Sequence, residues 1–129
     1  MKLLFLFIPI CLFSQKIHLN ISSIHPPKTY DNIYVKQLST DKHTSNFVIF
    51  VKQGVKAHVH KTHSETVYVL EGEGEMRLGD KQIKVKPGDF IFIPENTVHS
   101  VKVISKTPMK VLSNQAPEFL GKDRVFIDQ

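Results

Sequence analysis

The sequence predicts an all-β domain, an antiparallel sandwich or barrel, from three observations. Apolar and β-branched residues gather in short runs, turn residues interrupt them every six to ten positions, and no stretch of a dozen residues keeps a helical period. With 129 residues and 41% hydrophobic content, the chain has material for one core and not for two. A sandwich or barrel of this kind can hold a small ligand between its sheets.

Residues 1–15 stand outside that domain. Lys2 precedes an apolar run, Leu3 to Phe13, that closes at Ser14-Gln15, which is the pattern of a secretory signal. The run is short for a bilayer, which argues against a stable membrane anchor. Cys11 invites lipid attachment, but Ile8-Pro9-Ile10 before it lack the small residues such a box requires. Nothing in the run alternates as an N-terminal strand would. The expected product is exported, periplasmic or secreted. Cys11 is the single cysteine, so the mature chain would carry no disulfide, thiolate ligand or cysteine nucleophile.

Residues 16–31 are polar, include His25-Pro26-Pro27, and read as an extended lead-in along the domain edge. The domain proper is expected over 32–129. Its first strands are predicted at 33–35 and 47–51, rich in β-branched and aromatic residues, with 39–46 as a polar turn. Further strands are predicted at 55–60, 65–71, 74–78, 82–86, 90–93, 98–104 and 108–113, with a last one at 124–127. Their breaks fall at Gly54, Gly72, Gly79-Asp80, Pro87-Gly88, Pro94-Glu95-Asn96, Ser105-Lys106-Thr107 and Asn114-Gln115-Ala116-Pro117. There is no internal repeat.

The formal charge is +5, from 17 basic and 12 acidic residues. The lysines are scattered, and Lys81-Gln82-Ile83-Lys84-Val85-Lys86 alternates as a solvated strand face does. Clustered arginines interleaved with aromatics are absent, so nucleic acid is not an expected partner. A weakly basic surface favours anionic small molecules or an anionic membrane surface.

The chemistry concentrates in His58, His60, Glu65 and His99. Residues two apart on a strand share a face, so His58 and His60 project together with Val59 opposite. Glu65 opens the next strand after the turn 61–64, and His99 follows a turn at 94–97 that redirects the chain. Imidazole nitrogens with one carboxylate oxygen suit a single divalent transition metal ion: iron, manganese, nickel, zinc or copper. Four protein ligands could close a tetrahedral zinc site or leave two positions open on an octahedral ion.

These residues carry a family resemblance. His58-x-His60-x4-Glu65-x6-Gly72 resembles the first motif of the cupin superfamily, and Gly88-x5-Pro94-x-Asn96-x2-His99 resembles the second. Fifteen residues separate Gly72 from Gly88, as in compact microbial cupins. Three positions depart from the pattern: Lys52 stands where the first motif begins with glycine, Asn96 replaces a glycine of the second, and Val103 replaces its final asparagine. None is a ligand position. Asparagine tolerates positive φ better than other side chains, so the turn at Asn96 can survive. The resemblance implies a double-stranded β-helix, or jelly-roll, barrel of two antiparallel sheets, with the metal near its centre and commonly a homodimer.

Each of these residues also has a plainer reading. His58, His60 and His99 could be buried structural histidines, although one carboxylate packed with three imidazoles is costly to desolvate without a cation. His63 could be a fifth ligand or proton shuttle, but a turn histidine is more often solvated. His18, His25 and His43 read as surface residues. Phe47, Phe50, Tyr68, Phe90 and Phe92 could line a pocket, and read more simply as core. Arg77 and Arg124 could bind a carboxylate substrate, and read more simply as surface ion pairs. Asn114 and Gln115 could support the ligands or serve the turn.

The expectation is a metalloenzyme acting on a small oxygen-chelating substrate, such as an enediol, diketone or catechol-like molecule. Dioxygenase chemistry is the commonest outcome the resemblance implies, followed by isomerisation. A non-catalytic module that binds a metal or small ligand is the alternative from another class. A metal-free scaffold is the third.

Overall fold

A computed structural model describes residues 18–127, so the expected signal at 1–15 lies outside the described residues. The ten strands are β1 (Ile33–Asp41), β2 (Thr44–Val51), β3 (Gly54–His60), β4 (Ser64–Glu71), β5 (Gly74–Leu78), β6 (Lys81–Val85), β7 (Phe90–Ile93), β8 (His99–Val103), β9 (Met109–Ala116) and β10 (Arg124–Phe126). One sheet has the order β1-β2-β9-β4-β7 and the other β10-β3-β8-β5-β6. Every pairing is antiparallel. From β2 onward the chain crosses between sheets at every step except the β5–β6 hairpin, which is the winding of the expected jelly roll.

Alternation builds the core. Val51, Val69, Met76, Val85, Ile91, Ile93, Met109 and Val111 point inward and pack together between the sheets. This register decides the aromatic residues. Phe47 and Phe50 are buried, but Tyr68 is 41% exposed, Phe90 68% and Phe92 53%. Those three line neither core nor pocket, because Val67, Val69, Ile91 and Ile93 already occupy the inward positions of β4 and β7. Both faces of these strands are apolar in sequence, and composition alone does not distinguish them.

Two expected turns are strand instead. Between β1 and β2 only Lys42 and His43 leave the ladder, because the Asp41 carboxylate accepts from the His43 and Thr44 amides at 2.8 and 3.1 Å. The polar residues on either side are paired by their own hydroxyls and amides: Thr40 meets Ser45 at 2.8 Å, and Asn46 donates to Ser39 at 3.1 Å. Similarly, β9 continues through Asn114-Gln115-Ala116. Asn114 donates to Thr44 and Asn46 across the sheet, while Gln115 faces inward between Ser45 and Glu65.

The lead-in has a structural task. Asn20 caps a 3-10 turn at Ile21–Ser23, and Leu19 and Ile21 border, with Leu38, Asn46 and Leu112, a hollow on the outside of the first sheet. There Val48 is completely buried although its row partner Leu112 faces away from the core. Lys110, 2% exposed, donates to the Ile21 carbonyl at 3.0 Å and approaches Glu71 at 3.5 Å. At the far end of the lead-in, Lys52 donates to the Tyr30 carbonyl and lies 4.0 Å over its ring. Among the described residues Asn96 alone is non-glycine at positive φ (59°), so nothing requires a glycine at Lys52.

Gly54 is required for another reason. It opens β3, and a Cβ there would lie 2.4 Å from the Val101 carbonyl oxygen of β8. The close approach seats the strand that carries His58 against the strand that carries His99. Gly54→Ala should therefore destabilise the fold by about 1–3 kcal/mol, the range for overpacking, read from urea midpoints.

Candidate metal centre

His58 and His60 project from β3 to one side and are 4% and 2% exposed. His99, the first residue of β8, pairs in register with His58. The turn that delivers it holds Asn96 in the left-handed region, and the Asn96 amide donates to the His60 carbonyl at 2.7 Å. The rings of His58 and His99 are 4.1 Å apart, those of His58 and His60 5.2 Å, and those of His60 and His99 5.5 Å. One nitrogen from each of the three lies within 4.8 Å of the others, so the cluster can hold a metal ion.

The hydrogen bonds behind the rings set their tautomers. His58 Nδ1 donates to the Lys56 carbonyl at 2.7 Å, and His99 Nδ1 to the Thr97 carbonyl at 2.9 Å. His60 Nδ1 faces Asp123 Oδ1 at 3.3 Å. Each acceptor keeps the proton on Nδ1 and turns the Nε2 lone pair inward, the arrangement a metal-ligating imidazole needs. Burial pushes the His58 pKa down to about 4, with the charges of His99, Arg124 and His60 adding to the effect and the Lys56 hydrogen bond opposing it.

Glu65, the second residue of β4, brings its carboxylate to the same place. Its Oε1 accepts from Ser113 at 2.5 Å, while Oε2 stands 3.5 Å from His60 Nε2 and 3.4 Å from His99 Nε2. Neither approach has the alignment of a hydrogen bond, and both Nε2 atoms are buried without a partner. A carboxylate oxygen facing two imidazole lone pairs is repulsive unless a positive charge, proton or metal ion, lies among them. Burial would raise the Glu65 pKa, yet a proton on Nε2 of His60 or His99, together with the Ser113 hydroxyl, holds it well below the usual carboxylate range. The donor set and its orphaned nitrogens fit a divalent cation.

A residue that sequence spacing does not reveal completes the arrangement. Asp123, just before β10, turns one oxygen to His60 and the other to His63 Nδ1, the Thr62 amide at 3.2 Å and the Thr62 hydroxyl at 3.3 Å. It lies in a polar turn 63 positions from His60, with nothing in its surroundings to mark it. The only available signal is general: a ligating histidine needs an acceptor on its second nitrogen.

His63 is not solvated but 6% exposed, and its Nε2 donates to the Glu118 carbonyl at 2.7 Å. With both nitrogens engaged it has none to offer a metal. Burial would lower its pKa, but the Glu118 carbonyl and the Asp123 carboxylate outweigh that and raise it. The resulting clamp fixes the segment between β9 and β10, whose Phe119 ring sits 5.6 Å from that of His60.

His18, His25 and His43 are exposed, as expected. Arg77 donates to the Gly79 carbonyl instead of joining a surface ion pair. Gln115 lies beside Glu65 in register, buried, with its amide oxygen unpartnered.

Away from the imidazoles the space between the sheets is aliphatic. A cavity of about 120 Å³ is lined by His58, Glu65 and His99 at one end and by core side chains beyond. Ile33 and Val35 of β1 and Arg124 of β10 also border it and are exposed. These are the edge strands of opposite sheets, so the cavity opens at the seam between them.

A jelly roll with three inward histidines beside a carboxylate defines a barrel domain with a candidate metal centre. The family model described as "Cupin domain" matches residues 46–113, and the chain belongs to the cupin family. It is 34% identical over 98 residues to an uncharacterized protein of Aquifex aeolicus, covering 76% of this chain and 80% of that one. It is 37% identical over 78 residues to quercetin 2,3-dioxygenase of Bacillus subtilis, covering 57% of this chain but 22% of the enzyme. A double-stranded β-helix protein from Klebsiella pneumoniae superimposes with a TM-score of 0.73 at 18% identity, covering 88% and 99% of the two chains, a likeness of fold.

Asp123→Asn should weaken zinc affinity about 10–100-fold, measured by competition with a chelator, while the secondary structure of the metal-free protein is retained. The metal-free protein should also show a stability maximum near pH 6.5. Below it, the depressed folded pKa of His58, about 4 against 6.5, lets the unfolded state bind the proton first, so stability falls with acid. Above it, the raised pKa of His63 keeps a proton in the folded state, so stability declines as pH climbs through that value. Urea midpoints from about pH 5 to about pH 9 should trace this peak, and His63→Gln should remove its alkaline side.

Proposed function

We propose that this protein is a small metalloenzyme. His58, His60, His99 and Glu65 hold one divalent transition metal ion, whether iron, manganese, nickel, zinc or copper. The observation that carries the reading is the pair of buried, unpartnered Nε2 atoms facing the Glu65 carboxylate. The bound metal would polarise a chelated oxygen as a Lewis acid or serve as the platform for O2.

The chain supplies the rest. Backbone carbonyls and Asp123 orient the imidazoles, Ser113 steadies Glu65, and the apolar walls exclude water. The substrate is a small molecule that chelates through oxygen, entering at the β1–β10 seam, with dioxygenase-like or isomerase-like conversion. The relation to a quercetin dioxygenase supports oxygen chemistry over 57% of this chain.

A non-catalytic metal or small-ligand module is the second reading. It is favoured by the cavity itself, whose only ionisable side chains besides His58, Glu65 and His99 are at Arg124. No general acid or base stands ready there.

Export would follow from residues 1–15 acting as a secretory signal, with the barrel domain over 32–129. A homodimer would cover the exposed Tyr68, Phe90 and Phe92 beside the edge strand β7. Phe90→Asp together with Phe92→Asp should then shift the mass measured by light scattering from dimer to monomer.

Elemental analysis of tag-free protein should find near one metal per chain, and Glu65→Gln and His58→Ala should each lower the occupancy. Iron, manganese, nickel or copper with oxygen uptake on small chelating substrates would establish the enzyme. Stoichiometric metal with no turnover of any such substrate would favour the binding module. A chain that takes up no metal even after reconstitution would abandon both.

A further inference from the structure

The cavity has an unusual division of character. Ile49, Val51, Val69, Met76, Ile91 and Val111 form its walls, and apart from the His58, Glu65 and His99 end and Arg124 the single polar side chain of its lining is the Ser100 hydroxyl. Its volume, about 120 Å³, is close to that of the ~150 Å³ apolar cavity known to take up benzene, so the walls accommodate a group of about six non-hydrogen atoms. A polyhydroxylated ligand would lose its hydrogen bonds to water there and find one hydroxyl, that of Ser100, against several to be replaced.

At the mouth stands a cation. Arg124 pairs in register with His60 and borders the cavity with His58 and His99, which places it beside the imidazoles. Among the described residues no carboxylate lies within ion-pair distance of it; its contact is with the Phe119 ring, 5.7 Å away. A planar fork of donors at the rim of a dry cavity, without an internal anion, is suited to an incoming carboxylate.

We propose that the cavity selects a short-chain apolar 2-oxo or 2-hydroxy acid. Arg124 pairs with the carboxylate at the β1–β10 mouth, the adjacent oxygen faces the His58, His60 and His99 cluster, and the aliphatic walls enclose the side chain. This substrate class rests on the reading of the cluster as a chelating metal centre.

Calorimetry with 3-methyl-2-oxobutanoate, pentane-2,3-dione and gluconate tests it on zinc-loaded and metal-free protein. The first probe is an apolar oxo acid, the second a neutral chelator, and the third a hydroxylated acid. The zinc-loaded protein should bind the oxo acid at least about tenfold more tightly than either of the others. Arg124→Gln should remove about tenfold of that affinity while leaving zinc stoichiometry and dione binding unchanged, and Arg124→Lys should restore part of it.

Equal binding of the dione and the oxo acid, tighter binding of gluconate, or an oxo-acid affinity indifferent to Arg124→Gln would overturn the inference with the metal reading intact. Failure to load zinc would sink the metal reading instead. The metal-free titrations would then decide alone: oxo-acid binding that depends on Arg124 supports the pocket's selectivity, and no binding refutes it.

Discussion

The constraint on which the rest of the molecule depends is the meeting of one carboxylate with imidazole lone pairs inside an apolar barrel. Glu65 Oε2 stands within 3.5 Å of two buried nitrogens that have no other partner. Left neutral, that contact would oppose folding, because buried polar atoms without partners forfeit their hydration for nothing. A cation turns the same contact into an attraction. The barrel thus presents a cluster that could hold a cation, and the surrounding structure serves to keep its geometry.

The support comes from the backbone and from one distant side chain. Carbonyls two residues before His58 and His99 hold their Nδ1 protons, so strand geometry itself selects the tautomer. His60 cannot use its own strand in this way and relies on Asp123, which also fixes His63 and Thr62. The segment leading into β10 is thereby tied to the imidazole cluster, and Phe119 is seated against His60. On the outside of the other sheet the lead-in performs a comparable service, satisfying the Lys110 ammonium with the Ile21 carbonyl. It lies on the sheet opposite the one that carries the three histidines.

The two seams of the barrel differ. At the β6–β7 side, Val85, Ile91 and Ile93 close the core, and the aromatic residues of β7 face outward. At the β1–β10 side, Ile33, Val35 and Arg124 border the cavity but remain exposed, leaving an entrance beside His58. A barrel of this construction has one dry wall and one open edge, and the imidazole cluster faces the edge that a small molecule can reach.

Period-two alternation and turn residues determined the strands, since each run had to present one face to a core. All ten expected strands are present, and Asn96 does adopt the positive φ its motif position demands. The spacing of His58, His60, Glu65 and His99 likewise sufficed to bring them together, because neighbours on a strand and across a hairpin have few places to go. Tertiary structure alone decided which apolar face of β4 and β7 turns outward, that the polar stretch 39–46 stays in the ladder, and that His63 is clamped rather than solvated. It alone also paired Asp123 with His60 and, among the described residues, left Arg124 without an anion. Each of these depends on contacts between residues far apart in the chain or on the choice between two similar faces, and local periodicity carries no information about either.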